Sequence, residues 1–135
     1  MNLYIFQALE TQLATVAPSM PTASENVAFT ATPGAPYQRV DLMPATTVNP
    51  TLGDTMSRAS GIFQVMLCYP AGTGSGAARK QADLVCAAFP RGGSYTILGT
   101  TVQIDSTPTV GAGIIDGDRY CLPVRVRYFA NVFAG

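Results

Sequence analysis

Six residues in this chain have the types and spacing of a phosphate cradle: Gly72-Thr73-Gly74-Ser75-Gly76-Ala77. They fit G-x-G-x-x-A, the looser dinucleotide fingerprint, in which glycines let the backbone approach a pyrophosphate at a helix N-terminus. The run sits between an apolar stretch and a helical pattern, as that chemistry requires. Three features argue against it. Tyr69-Pro70-Ala71 separates the apolar stretch from the first glycine, whereas the tight turn needs glycine at the strand end. The helical pattern leads into a hairpin pattern, not into a second parallel strand. Asp105, the acidic candidate for a ribose contact, falls on the second arm of that hairpin, beyond its usual place. The P-loop pattern fails too, since Lys80 lies four residues past Gly76 and Gln81 stands where Ser or Thr is needed. The glycines therefore read as a flexible connection, and no cofactor is expected.

Other candidate chemistry is thinner. Asp116 and Asp118 flank Gly117, but no further ligands follow at calcium-loop spacing, so Asp-Gly-Asp reads as a turn. The chain has no histidine, which excludes a histidine-based triad. Lys80 beside Arg79 reads as a solvated helix face. Glu10 and Glu25 have no visible carboxylate partner. The three cysteines, Cys68, Cys86 and Cys121, are odd in number and widely spaced without a CxxC. They read as buried free thiols in a reducing compartment, and a metal site is not expected. No enzyme constellation emerges.

The elements that position these residues follow from periodicity. Gly61 to Tyr69 is apolar on both alternating sets, the pattern of a strand covered on both sides, and Pro70 ends it. Ala78, Ala82, Val85 and Phe89 make one helical stripe, closed by Pro90 and Gly92-Gly93. Residues 3–16 form another helix, with Ile5, Leu9, Leu13 and Val16 in line and Asn2 as its cap. ENVAFT, residues 25–30, is a brief strand. Tyr37 to Met43 alternates Val40 and Leu42 against Arg39 and Asp41, a half-buried strand. Pro44 to Ser60 lacks periodicity and reads as a long loop, either a solvated segment or a partner-binding arm.

Ser94–Leu98 and Thr101–Ser106 make a hairpin around Gly99-Thr100. Pro108 to Gly117 is a loop, and Asp116-Gly117 turns into a last strand, Arg119 to Phe129. There Tyr120, Leu122, Val124, Val126 and Tyr128 share one face, and Arg119, Cys121, Arg125 and Arg127 the other. Pro123 argues for an edge position or a bulge. The arginine row is open to two readings, a solvated sheet face or an interface, where Arg is enriched. The fold class is α+β: a mainly antiparallel, mixed sheet of about six strands with two helices on one face.

The chain has 135 residues, which suggests a single domain over 1–135. Charged residues are only 12% against a hydrophobic share of 47%, so much of the surface is uncharged, and burial against other subunits is expected. Eight basic and eight acidic residues give no net charge and no basic tract for nucleic acid. No apolar run approaches a membrane span, and MNLYIFQALETQL lacks the charged start and apolar core of a signal peptide.

Taken together, ENVAF, PYQRVDLMPA, GIFQVMLCYPAGTGSGAARKQADLVCAAFPRG and PVRVRYFA resemble the tail terminator proteins of long-tailed, non-contractile phages. The resemblance lies in a GIFQV strand (Gly61–Val65), a P-x-G-x-G turn (Pro70–Gly74), a helix ending in F-P-x-G (Phe89–Gly92), an I-x-x-x-P segment (Ile104–Pro108) and a final PVxVxY strand (Pro123–Tyr128). It covers roughly residues 24–130.

The resemblance implies a virion structural protein with no catalytic residues. It would form a ring, commonly a hexamer, on the head-proximal end of the tail tube. Its partners would be the tube protein and a head-completion or connector protein, after assembly in the host bacterial cytoplasm. A neck connector of similar fold is the alternative within that class. The family fixes no interface residues. Exposure in the sequence pattern selects Thr47, Leu52, Met56 and Arg58 on the long loop, Arg119, Arg125 and Arg127 on the last strand, and Phe133 in the tail.

Overall fold

The computed structural model describes residues 2–16, 22–23, 35–45, 56–72, 74–97 and 100–133. In chain order the elements are α1 (Asn2–Ala14), β1 (Thr22–Ala23), β2 (Tyr37–Pro44), β3 (Met56–Pro70), α2 (Gly76–Ala88), β4 (Ser94–Ile97), β5 (Thr100–Ile104), β6 (Thr109–Val110), β7 (Ile114–Asp116) and β8 (Arg119–Phe133). The sheet runs β1-β2-β3-β8-β5-β4, with β6 and β7 also paired to β8. Only β1–β2 is parallel; the other described pairs are antiparallel. The α+β architecture with a mixed, mainly antiparallel sheet is as expected. The short strands β1, β6 and β7 add to the count.

The spine is the β3–β8 ladder, which pairs Met56 with Phe133 at one end and Pro70 with Arg119 at the other. Alternation sends Phe63, Val65 and Leu67 of β3, and Leu122, Val124, Val126 and Tyr128 of β8, to the same face, where all are buried. Burying each such side chain contributes roughly 1.5–3 kcal/mol, so this face outweighs weak local preferences. Both helices close over it. Ile5, Leu9 and Leu13 of α1 and Ala78, Ala82 and Val85 of α2 are buried in one continuous core with the strands. The small residues at 78 and 82 let α2 approach closely. The last carbonyl of α2, Ala88 O, accepts from Gln12 Nε2 at 2.8 Å and from Tyr95 Oη at 2.6 Å. One helix-end acceptor, which has no partner within its own helix, thus ties α1, α2 and β4 together.

Several expectations change. The long loop is shorter than its composition suggests: β3 begins at Met56 rather than Gly61. Residues 56–60 carry no apolar alternation of their own and are strand because β8 supplies a partner over 129–133. Residues 109–110 and 114–116, expected as loop, pair with β8 as β6 and β7. ENVAFT lies outside the described residues. β8 is central, flanked by β3 and by β5, β6 and β7, not an edge. Pro123 is tolerated there because Gly111 N–H donates to its carbonyl at 2.9 Å, leaving only the reciprocal rung, at the end of the β6 ladder, without a donor.

The cysteines are the clearest correction. Cys68 and Cys121 are not free thiols: they face each other in the β3–β8 register and form a disulfide, leaving Cys86 free. Wide sequence spacing hid a pair that the ladder makes adjacent.

Candidate functional site

The glycine run is a turn. Gly72 and Gly74 have φ of 85° and 83°, left-handed values that side-chain-bearing residues rarely adopt. Nothing lies within 4 Å of a Cβ placed on either, so these glycines answer to backbone conformation rather than to a tight neighbour. Ser75 precedes α2 without a capping side-chain bond; its hydroxyl is engaged by Arg79 Nε at 3.3 Å. After α2 the chain enters β4, at the far side of the sheet from β3. The parallel neighbour strand that a dinucleotide fold needs is thus replaced by a hairpin arm.

Asp116-Gly117-Asp118 is likewise a turn, with Gly117 at φ 60° and Asp118 Oδ1 4.0 Å from Arg119 Nε. Among the described residues no three of His, Cys, Asp and Glu gather in a way that could hold a metal ion. Burial raises the hydroxyl pKa of Tyr69 and Tyr95, and burial with the Asp83 carboxylate raises that of the Cys86 thiol. Each shift holds a neutral group neutral, the opposite of what activates a nucleophile.

The surface with functional character is the sheet face opposite the helices. Pairing across β2, β3 and β8 lines up Arg39 with Met66 and Pro123, Asp41 with Gln64 and Arg125, and Met43 with Ile62 and Arg127. Arg39, Arg125 and Arg127 are exposed, whereas Ile62, Gln64 and Met66 between them are half-buried. Arg125 Nε donates to Gln64 Oε1 at 3.0 Å, which holds its guanidinium along the sheet. Further up the same face, Arg58 lies over the Phe129 ring, 5.2 Å from its centre. The result is a face with half-buried apolar side chains between exposed arginines, of which Arg125 is held by Gln64 and Arg58 by the Phe129 ring.

The sequence-selected residues divide by this geometry. Arg58, Arg125 and Arg127 share the helix-free face and are exposed. Met56 and Phe133 are brought opposite each other at the end of the β3–β8 ladder. Thr47 and Leu52 lie outside the described residues. Arg119 does not match the exposure it was selected for: only 6% of it is accessible. It donates from Nη1 to Ala35 O and stacks over Tyr37 at 5.2 Å, so it works as an internal clamp between β8 and the start of β2. The parity of the strand could not separate it from Arg125 and Arg127; the fold of the 35–37 segment over it does.

Sequence reasoning also passed over Arg39, whose alternation with Val40 was the available signal, and the β7 pair Ile114 and Ile115. These two are 54% and 65% exposed. They fell in a segment expected as loop.

A family profile described as Phage tail terminator protein matches residues 4–128. The chain belongs to the phage tail terminator family. A solved structure whose own description states no activity is similar to this tail terminator over 99% of the present chain and 95% of its own. Its TM-score is 0.74 at 25% sequence identity. No curated protein matches. Membership assigns a structural role in the phage tail, in a family of structural proteins rather than enzymes. Among the described residues, no helix is long and apolar enough to cross a membrane.

Proposed function

We propose that this tail terminator assembles as a ring, commonly of six copies in proteins it resembles, on the head-proximal end of the tail tube. The ring ends tube polymerisation by covering the free surface of the last tube subunits. Its other side forms the surface on which head-completion or connector proteins dock. The observation that carries this reading is the family match across residues 4–128. The chain's surface chemistry supports it. Charged residues are 12% of the sequence, and a face with half-buried Ile62 and Met66 between arginines suits protein contact. Zero net charge suits a ring through which DNA passes without being gripped.

The test is electron microscopy of particles made without this protein. Over-long tubes are expected. Finished tails of normal length that lack heads would instead make the protein a neck connector. A parallel calorimetric titration with nucleotides at millimolar concentration is expected to give no heat; saturable heat abolished by Gly74→Ala would revive the phosphate-cradle reading.

A further inference from the structure

The β7–β8 hairpin is chemically the counterpart of the helix-free face. Ile114 and Ile115 are successive strand residues, so they point to opposite sides of β7, yet both are more than half exposed. The β7 arm is therefore open on both sides, a tongue backed by the buried or half-buried Arg119–Cys121 arm of β8. Its turn adds Asp118, with 84% of its side chain accessible. Arg119 turns its Nη1 inward to Ala35 O and keeps its Nε 4.0 Å from Asp118 Oδ1, a pairing that leaves most of the Asp118 side chain accessible. The tongue thus offers two exposed isoleucines and the exposed Asp118 carboxylate.

The helix-free face offers the reverse. Among the described residues, Arg39, Arg58, Arg125 and Arg127 stand against Asp41 and Asp105, leaving two positive charges in excess. Half-buried Ile62 and Met66 provide apolar ground between the arginines.

We infer that the β7–β8 tongue of one copy docks on the helix-free face of the next, isoleucines on the apolar ground and the acidic turn at Asp118 against Arg125 and Arg127. The occupant is a second copy because this chain supplies both complementary surfaces. They are different patches, so the contact is head-to-tail, and a head-to-tail contact with a closing rotation makes a ring. Nucleic acid is the poorer fit, since two aspartates and apolar side chains interrupt the arginines and the chain has no net charge. The inference rests on the ring reading above and specifies its contact.

Charge-reversal pairing tests it. Arg125→Glu with Arg127→Glu makes the face acidic; Asp116→Lys with Asp118→Lys makes the tongue basic. Association is measured by light scattering of the full chain, alone and on tail tubes, with circular dichroism confirming the fold. Each double variant alone is expected to need at least tenfold more protein to associate. An equimolar mixture of the two restores every contact in an alternating ring, and is expected to recover the parent midpoint within about threefold. Arg79→Glu with Lys80→Glu, an equal charge change on α2, is expected to leave association as in the parent. A parent ring indifferent to both double variants, or a mixture that fails to recover, overturns the contact while leaving the ring standing. A parent that stays monomeric both free and on tubes overturns the ring and the contact with it. Loss of binding to DNA rather than of self-association in the face variant would reassign the face to nucleic acid.

Discussion

Cys68 and Cys121 lie opposite each other on β3 and β8, joined by a disulfide with their Cα atoms 4.1 Å apart. The bridge spans 53 residues of sequence and closes a loop that contains α2 and the strands β4 to β7. By shrinking the unfolded ensemble, such a closure stabilises by about 2–4 kcal/mol. Cys68→Ser with Cys121→Ser, or reduction, is therefore expected to lower the thermal midpoint by several degrees. Thiol counting gives a second measurement. The unreduced, denatured chain should take up one alkylating group, at Cys86; three would disprove the bridge. In the folded chain that single reaction should be slow near neutral pH and speed up as pH rises, because burial and Asp83 raise the Cys86 pKa.

Gly61 sits where β2, β3 and β8 crowd together, paired with Pro44 on one side and Tyr128 on the other. A Cβ there would stand 2.4 Å from Met43 O and 2.8 Å from Tyr128 Oη. Since the closest atom is backbone, rotamer change alone cannot make room. Gly61→Ala is expected to destabilise by about 1–3 kcal/mol, read as a lower urea midpoint. The matched control is Gly76→Ala, with open space around its Cβ position. A larger loss at Gly76 than at Gly61 would contradict this crowding around Gly61.

The contrast between those glycines shows what was legible in the sequence. Elements with a full apolar stripe were readable. Ile5, Leu9 and Leu13 of α1, and Ala78, Ala82 and Val85 of α2, are buried in the positions their spacing implies. The alternation of β8 placed Val124 and Val126 inside and Arg125 and Arg127 outside. What depends on a distant partner was not readable. Residues 56–60 are strand through β8, Pro123 is central through an incomplete rung to Gly111, and Cys68 meets Cys121 through register. On the candidate face, parity identified the arginines but not the inward turn of Arg119, which depends on a segment over eighty positions away.

Phe63 is the centre of an aromatic row. Its ring lies 6.1 Å from Phe6 and 5.9 Å from Phe89, and Phe89 lies 5.8 Å from Tyr95. The row joins α1, β3, the end of α2 and β4, so both helices lose contact if its middle is removed. Phe63→Ala is expected to cost about 3–5 kcal/mol, the transfer loss plus the cavity left among side chains that cannot collapse. Phe63→Leu, which keeps most of the volume, should cost less than half as much. Equal denaturation midpoints for the two variants would show that the site relaxes freely.

Arg119 and Arg127 share a strand and parity but not a role. Arg119 is buried, donates to Ala35 O and covers the Tyr37 ring; Arg127 is exposed on the helix-free face. Removing a buried guanidinium forfeits a charged hydrogen bond and a stacking contact, so Arg119→Ala is expected to lose about 2–3 kcal/mol of stability. Arg119→Lys should recover only part, because an ammonium lacks the planar fork that both donates and stacks. Arg127→Ala, exposed, should stay within about 0.5 kcal/mol of the parent in urea denaturation. Any effect of that variant should then appear in association and not in folding. Equal stability losses at the two positions would mean that Arg127 also clamps the fold, and would remove the separation between framework and docking face on which the assembly reading depends.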